Sequence, residues 1–371
     1  MMSMAAERAR AAALAEPDRL EGFSSPREVD RLCGHEAALN EFTDALASGR
    51  MHHAWLMVGP EGIGKATLAY RFARMVLAEA NERDAVDKAH PVFRKVAALA
   101  HPNLLVIRRA WNEKSKRYAQ MIGVDEVRRL RAFLGTTAGE GSWRVVIVDR
   151  ADELNQNAAN ALLKALEEPP PNTLFLLISS AEGRLPVTIR SRARTLRVSA
   201  LGEQDLERAV RAALERDGQE IDAKTLKTAL ALSQGSVRRA LELVSSEGIE
   251  LYAEIAAALD ALPEIDGARL HRNVERLGSM AETERLELYL SLLLGLIERL
   301  IRFTATGEGA THEERSLGKR LISPANLAYW AEAWEAISEA RAEAFALNLD
   351  RSLLVLETWF RLQSVAREHP V

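Results

Sequence analysis

The stretch 59-GPEGIGKAT-67 sets glycines and a lysine at the spacing of a phosphate-binding turn. Gly59, Gly62 and Gly64 permit positive φ and close backbone approach, so amide groups can converge on phosphate oxygens. Lys65 can reach the terminal phosphates, and the start of the following helix adds its partial positive charge. The next residue is Ala66, where this motif ordinarily offers a Ser or Thr hydroxyl to Mg²⁺. Thr67 keeps a place among the candidate nucleotide contacts. One further helical step turns its hydroxyl by about 100°, so it does not replace the missing metal ligand.

A second chemical motif follows in 145-VVIVDRADELN-155. Asp149 ends an apolar run and suits the metal side of a nucleotide site. The residue after it, where a water-polarising carboxylate is wanted, is Arg150, whose guanidinium stays protonated and cannot act as a base. Asp152 and Glu153 lie further round the start of the next element. A metal ligand and a general base are therefore both missing, and the residues predict a degenerate nucleotide site without intrinsic hydrolysis.

These motifs need elements to hold them. The runs 54-AWLMV-58, 104-LLVI-107, 144-RVVIV-148, 174-LFLLI-178 and 195-TLRV-198 are continuous apolar strand candidates. Helical patterns near 64–78, 124–135 and 155–167 separate them, which implies a parallel sheet covered on both faces. The polar segment 79–118 interrupts that rhythm as an insertion around the second strand. After Leu201 only helices are expected: three short ones over 203–246, then longer ones over 250–368 with a break near 304–316. Residues 1–25 read as a flexible, Ala-rich tail without the apolar core of a signal sequence.

Composition excludes several classes. The net charge of −4 gives no overall basic excess for nucleic acid. Cys33 is the only cysteine of 371 residues, so an internal disulfide and a cysteine zinc site are excluded. The most apolar run, 290-LSLLLGLI-297, falls far short of the ~20 residues that cross a bilayer. A reducing cytoplasm is the expected location, and no membrane partner is expected.

The series HHAWLMVGPEGIGKATLA, VVIVDRADELNQNAANALLKALEEPP, FLLISSAEGRLPVTIRSRAR and GSVRRAL resembles the AAA+ subunits of bacterial DNA polymerase III clamp loaders, over about residues 30–246. The two missing catalytic parts point within that family to the delta-prime type rather than to the ATP-consuming gamma/tau type. The resemblance implies an α/β P-loop AAA+ domain over 26–200, a three-helix lid over 201–248, and an all-α collar over 249–371 that packs against other subunits. It implies that Ser191 and Arg192 match the family's Ser-Arg-Cys motif, with Ala193 in place of the cysteine, and that Arg192 is a trans-acting arginine finger. It also implies that Ser180, beside Ser179, occupies the phosphate-sensing position and that Arg238 is the lid arginine laid over nucleotide.

The same resemblance implies gamma/tau and delta subunits, a sliding clamp and primer–template DNA as partners. No cofactor is required beyond ATP or ADP held weakly. Relatives carry a four-cysteine zinc module where the 79–118 insertion lies, but the insertion has no cysteine, and His90 and His101 read as loop residues. Arg128, Arg129 and Arg131 are candidate DNA-phosphate contacts or an ion-paired helix face. Trp111 with Lys114, Lys116 and Arg117 is a weaker basic–aromatic hint. Two other readings stay open: an active gamma/tau-type ATPase, and an AAA+ adaptor that remodels proteins without DNA.

Overall fold

Five apolar segments become the five strands of one sheet: β1 (Ala54–Val58), β2 (Leu104–Ile107), β5 (Arg144–Val148), β6 (Thr173–Ser179) and β7 (Arg194–Arg197). Their order is β2-β5-β6-β1-β7, and every pairing between them is parallel. Helices on both faces leave no side of the sheet for water, which is why these strands do not alternate with polar residues. Trp55 and Met57 of β1 pack with Phe42 and Phe72 on one face, while Ala54, Leu56 and Val58 pack with Ala158, Leu162 and Ile189 on the other. A short hairpin of β3 (Trp111–Asn112) and β4 (Arg117–Tyr118) stands apart from the sheet.

The computed structural model describes residues 19–20, 22–83, 86–112, 117–135, 142–245, 248–278, 283–347 and 349–371. They divide into two compact units, 1–242 and 243–371. In the first unit the helices Lys65–Leu77, Val124–Gly135 and Gln156–Glu167 fall where the periodicity places them. The helix Glu36–Ala47 and the short helix Pro91–Ala97 are additional. The helices Glu203–Arg216, Ala223–Leu232 and Val237–Ser245 follow the sheet, and all but the last three residues of that trio lie within the first unit.

Most of the predicted tail, residues 1–18 and 21, lies outside the described residues. Its end does not hang free: Phe23 and Ser25 are buried, and Ser24 donates from its backbone N–H to Asp217 at 3.0 Å. The burial of the Phe23 ring, 3% exposed, explains why this end packs.

The second unit consists of helices from Gly248–Asp260 to Arg351–Glu368. The expected break near 304–316 is narrower, since the helix Thr283–Thr306 is followed by a capping box in which Thr311 and Glu314 close the start of His312–Leu321. Glu314 has a second task. Its carboxylate meets Arg299 at 2.7 Å with both side chains almost fully buried, and the Tyr252 hydroxyl donates to it. Burial alone would raise the Glu314 carboxyl, but its bonds from Arg299 and Tyr252 outweigh that and hold it below the usual range. Removing one member strands the other charge in the core. Glu314→Ala should therefore destabilise the second unit by about 3–5 kcal/mol in urea unfolding, while Tyr252→Phe should cost far less.

Candidate functional site: the phosphate loop and the opposite rim

β1 runs into the turn that begins at Gly59, and the helix Lys65–Leu77 leaves it. Gly62 and Gly64 adopt φ of 75° and 107°, where side chains are strained. Gly59 does not use the positive φ that glycine permits. Its constraint is closeness: a Cβ there would sit 2.0 Å from the Val198 carbonyl oxygen.

Lys65 is 5% exposed, and its ammonium donates to the Gly59 carbonyl at 2.7 Å, to the Pro60 carbonyl, and to the Ser180 hydroxyl at 2.9 Å. The loop thus wraps the group that is expected to meet phosphate. Burial pushes the Lys65 ammonium down to about 8, with Asp152 and Asp149 opposing that shift. Ser180 is held in place from both sides, since its backbone N–H donates to Asp152 at 3.2 Å. Asp149 stands at the end of β5, with its backbone N–H on Ile107. Gly59, Asp149 and Ser180 each follow a parallel strand, so Lys65, Asp149 and Ser180 converge at the carboxyl ends of the sheet, the usual ligand edge of such folds.

Ala66 packs against the core cluster beneath the sheet, and Thr67 is half-buried. Arg150, in left-handed backbone at φ 58°, bridges Glu153 at 2.7 Å and Glu61 of the phosphate loop. Glu153 in turn meets Arg109 at 3.0 Å. The residue that stands in the base position therefore ties the acidic motif to the loop. Sequence reasoning treated Arg150 only as a lost base and missed Glu61; the pairable signal was a carboxylate inside a phosphate loop together with an arginine in an acidic motif.

The helical trio also closes on the loop. The Ser236 hydroxyl donates to the Glu61 carbonyl at 3.1 Å, and the Arg238 backbone N–H donates to the Gly62 carbonyl at 3.1 Å. A Cβ at Gly62 would press on Ser236 and Arg238. The Arg238 guanidinium does not lie on the loop in this arrangement but pairs with Glu242 at 2.7 Å. His35, also missed, places Nε2 2.8 Å from the Ile63 carbonyl.

Arg192 and Ser191 are elsewhere. They follow the short helix Val187–Arg190, where the Ser191 hydroxyl donates to Thr188 at 3.1 Å. β7 begins at Arg194, which pairs with Trp55, so the turn that carries Arg192 lies before the strand, at the end away from Gly59. From Trp55 to Gly59 the strand direction alone covers roughly 13 Å at ~3.3 Å per residue, and Arg192 lies beyond that. Arg192 cannot serve this chain's own loop. Its guanidinium pairs with Glu167 at 2.8 Å while 36% exposed, and it also donates to the Thr188 carbonyl at 3.0 Å. The neighbouring arginines are paired as well, Arg194 with Glu41 and Arg197 with Glu182.

The remaining candidates take ordinary roles. Arg128 pairs with Asp125 and Arg129 with Glu126 along one helix. His90 caps the helix Pro91–Ala97 through Val92, and His101 accepts from the Asn103 backbone. Among the described residues no cluster of metal-binding side chains occurs, and no helix is long and apolar enough to cross a membrane. Lys114 and Lys116 lie outside the described residues.

Residues 34–202 match the family described as DNA polymerase III, delta subunit. The matched segment makes up a little under half of the chain. Subunit delta' of Pseudomonas aeruginosa is 36% identical over 214 residues, which cover 57% of this chain and 61% of the relative. Subunit gamma of Buchnera aphidicola is 26% identical over 219 residues, covering 59% of this chain and 58% of the relative. Subunit delta' of Haemophilus influenzae is 29% identical, covering 64% and 71%. The match to the first two relatives thus spans about three fifths of their length. A gamma-subunit-related protein of Thermotoga maritima overlays with a TM-score of 0.39 at 18% identity, covering 87% of this chain and 98% of that one. The relatives that match thus include delta', gamma and tau subunits of DNA polymerase III.

Lys65 gives this site a pH signature. A buried amine with a depressed folded value binds its proton less well than the unfolded chain does, so stability rises with pH between about 8 and 10.5. Lys65→Met should remove that rise. The wild type should gain on the order of 3 kcal/mol relative to the variant across the window, read from urea midpoints.

Proposed function

We propose that this chain is a non-hydrolysing, delta-prime-type subunit of a DNA polymerase III clamp loader that supplies Arg192 to the ATP of a neighbouring subunit. The single observation that carries this reading is the sheet register. It puts Arg192 at the opposite end of the strands from the phosphate loop, with its guanidinium at the surface. An arginine there is useless in cis and well placed in trans. Its pair with Glu167 is half-exposed and worth about 0–1 kcal/mol, so a triphosphate can capture it.

The loop supports the other half. Its residues fit a phosphate only in part: Lys65 and the glycine turn are present, while Ala66 offers no metal ligand and Arg150 no base. The Lys65 ammonium is satisfied by the loop itself, and Glu61 is engaged by Arg150. On this reading the loop is a structural joint between sheet and helical trio, holding ATP or ADP weakly if at all and without zinc. The assembly would consist of gamma/tau and delta subunits in the cytoplasm, acting on a sliding clamp and primed DNA. Leu353 and Phe360, seven apart on Arg351–Glu368 and both about half exposed, give the second unit an apolar strip suited to a collar.

The gamma/tau reading is favoured by the relatives of that type, and ATP turnover separates the two. The purified chain should show no Lys65-dependent, Mg²⁺-dependent hydrolysis. In a reconstituted loader, Arg192→Ala should lower turnover at the neighbouring site by ~10³-fold, leaving ring assembly intact by size exclusion. Turnover by the isolated chain, or an unaffected rate with Arg192→Ala, overturns the proposal.

A further inference from the structure

An open cavity of about 440 Å³ lies away from the phosphate loop, at the edge strand β2. Leu99, β2 and the segment after it, Trp111 and Tyr118 of the β3–β4 pair, and the helix Val124–Gly135 border it. Its charged and aromatic lining is Arg108, Arg109, Arg129, Glu126, Trp111 and Tyr118. None of the lining residues belongs to the loop that begins at Gly59, so this is a separate site. Its size falls within the range of small-molecule pockets, roughly 300–1,000 Å³.

Its chemistry is a specific pairing. The lining carries three guanidiniums and one carboxylate, with Glu153 behind it paired to Arg109. The two rings stand edge to face, with centroids 4.9 Å apart and planes at 65°. The antiparallel pairing of β3 with β4 brings Trp111 opposite Tyr118 and so fixes that ring pair at the cavity wall. Arg109 lies 5.8 Å over the Tyr118 ring and is anchored behind by Glu153. Arg129 is held by Glu126 at 2.8 Å at the rim, where its side chain is 56% exposed. Such a pair is weak in water and can exchange its carboxylate for a phosphate.

A ligand that satisfies both halves must carry a planar π-face and an anionic group close together. Acidic peptides supply the charge without the stacking surface, and apolar ligands the reverse. The geometry points to a nucleotide unit in this cavity, its base stacked at Trp111 and its phosphate met by Arg129 and Arg108. Every base presents a π-face, so this recognition is indifferent to sequence. The unit can come from single-stranded DNA or from a free nucleotide, and the inference stands independently of any role of Arg192.

The test uses the full chain, with fluorescence anisotropy of a labelled oligodeoxythymidine and calorimetry with thymidine monophosphate. Binding of the oligonucleotide alone assigns the site to single-stranded DNA, and binding of both probes assigns it to free nucleotides also. In either case Trp111→Leu, which keeps an apolar side chain but no π-face, should weaken binding about tenfold. Arg129→Gln, at an exposed position that leaves the core untouched, should weaken it and flatten its salt dependence. The inference is overturned if neither probe binds, if Arg129→Gln or a folded Trp111→Leu binds as the wild type does, or if polyglutamate competes as well as the oligonucleotide.

Discussion

The parallel pairing of β1 between β6 and β7 is the constraint on which the rest depends. It sends the chain out of β1, β5 and β6 at one end of the sheet, where Lys65, Asp149 and Ser180 converge. It brings the chain into β7 at the other end, where Arg192 stands. A one-residue slip would turn every strand side chain to the wrong face, and both faces are filled by packed apolar clusters. Burial therefore fixes the register, and the register fixes which charges can meet. The separation of phosphate loop and arginine is a consequence of core packing as much as of the residues themselves.

Charge inside the first unit follows a common pattern: cations are satisfied locally. Lys65 is bound by its own loop and Ser180, and Arg150 joins Glu61 to Glu153. A buried ammonium without partners would be costly; the loop carbonyls offset that cost, while burial itself lowers the affinity of the amine for its proton. The chain of Glu61, Arg150, Glu153 and Arg109 links the loop to the cavity beside β2 through ion pairs, the Glu153 pairs part-buried and the Glu61 pair more exposed. In the second unit the buried Arg299–Glu314 pair plays a different part. It sits among apolar helices, where breaking it exposes no water to compensate.

Much was legible before any coordinates. Continuous apolar runs of four or five residues between helical patterns gave all five sheet strands within one or two residues, because a strand buried on both faces has no polar alternation to confuse it. The helical trio and the long helices of the second unit were readable from their periodicity. The helix Glu36–Ala47 was missed among polar and alanine residues, and the hairpin Trp111–Tyr118 is too short to leave a pattern. Residues 22–25 were assigned to a tail because a short segment has no periodicity, yet one buried ring at Phe23 is enough to pin it.

By itself the sequence determined the chemistry that is missing: no coordinates are needed to know that Ala66 carries no oxygen and Arg150 accepts no proton. It determined as well that a strand, a glycine turn and a helix would present Lys65. Only the tertiary structure decided what those residues do instead. Ala66 fills core, Arg150 clasps Glu61, Gly59 makes room for the Val198 carbonyl, and Arg238 turns to Glu242. These partners lie from four to about 140 positions apart along the chain, and the long-range ones meet because parallel strands carry distant segments to the same edge. Local pattern encodes an element; which distant side chain completes it is settled by packing.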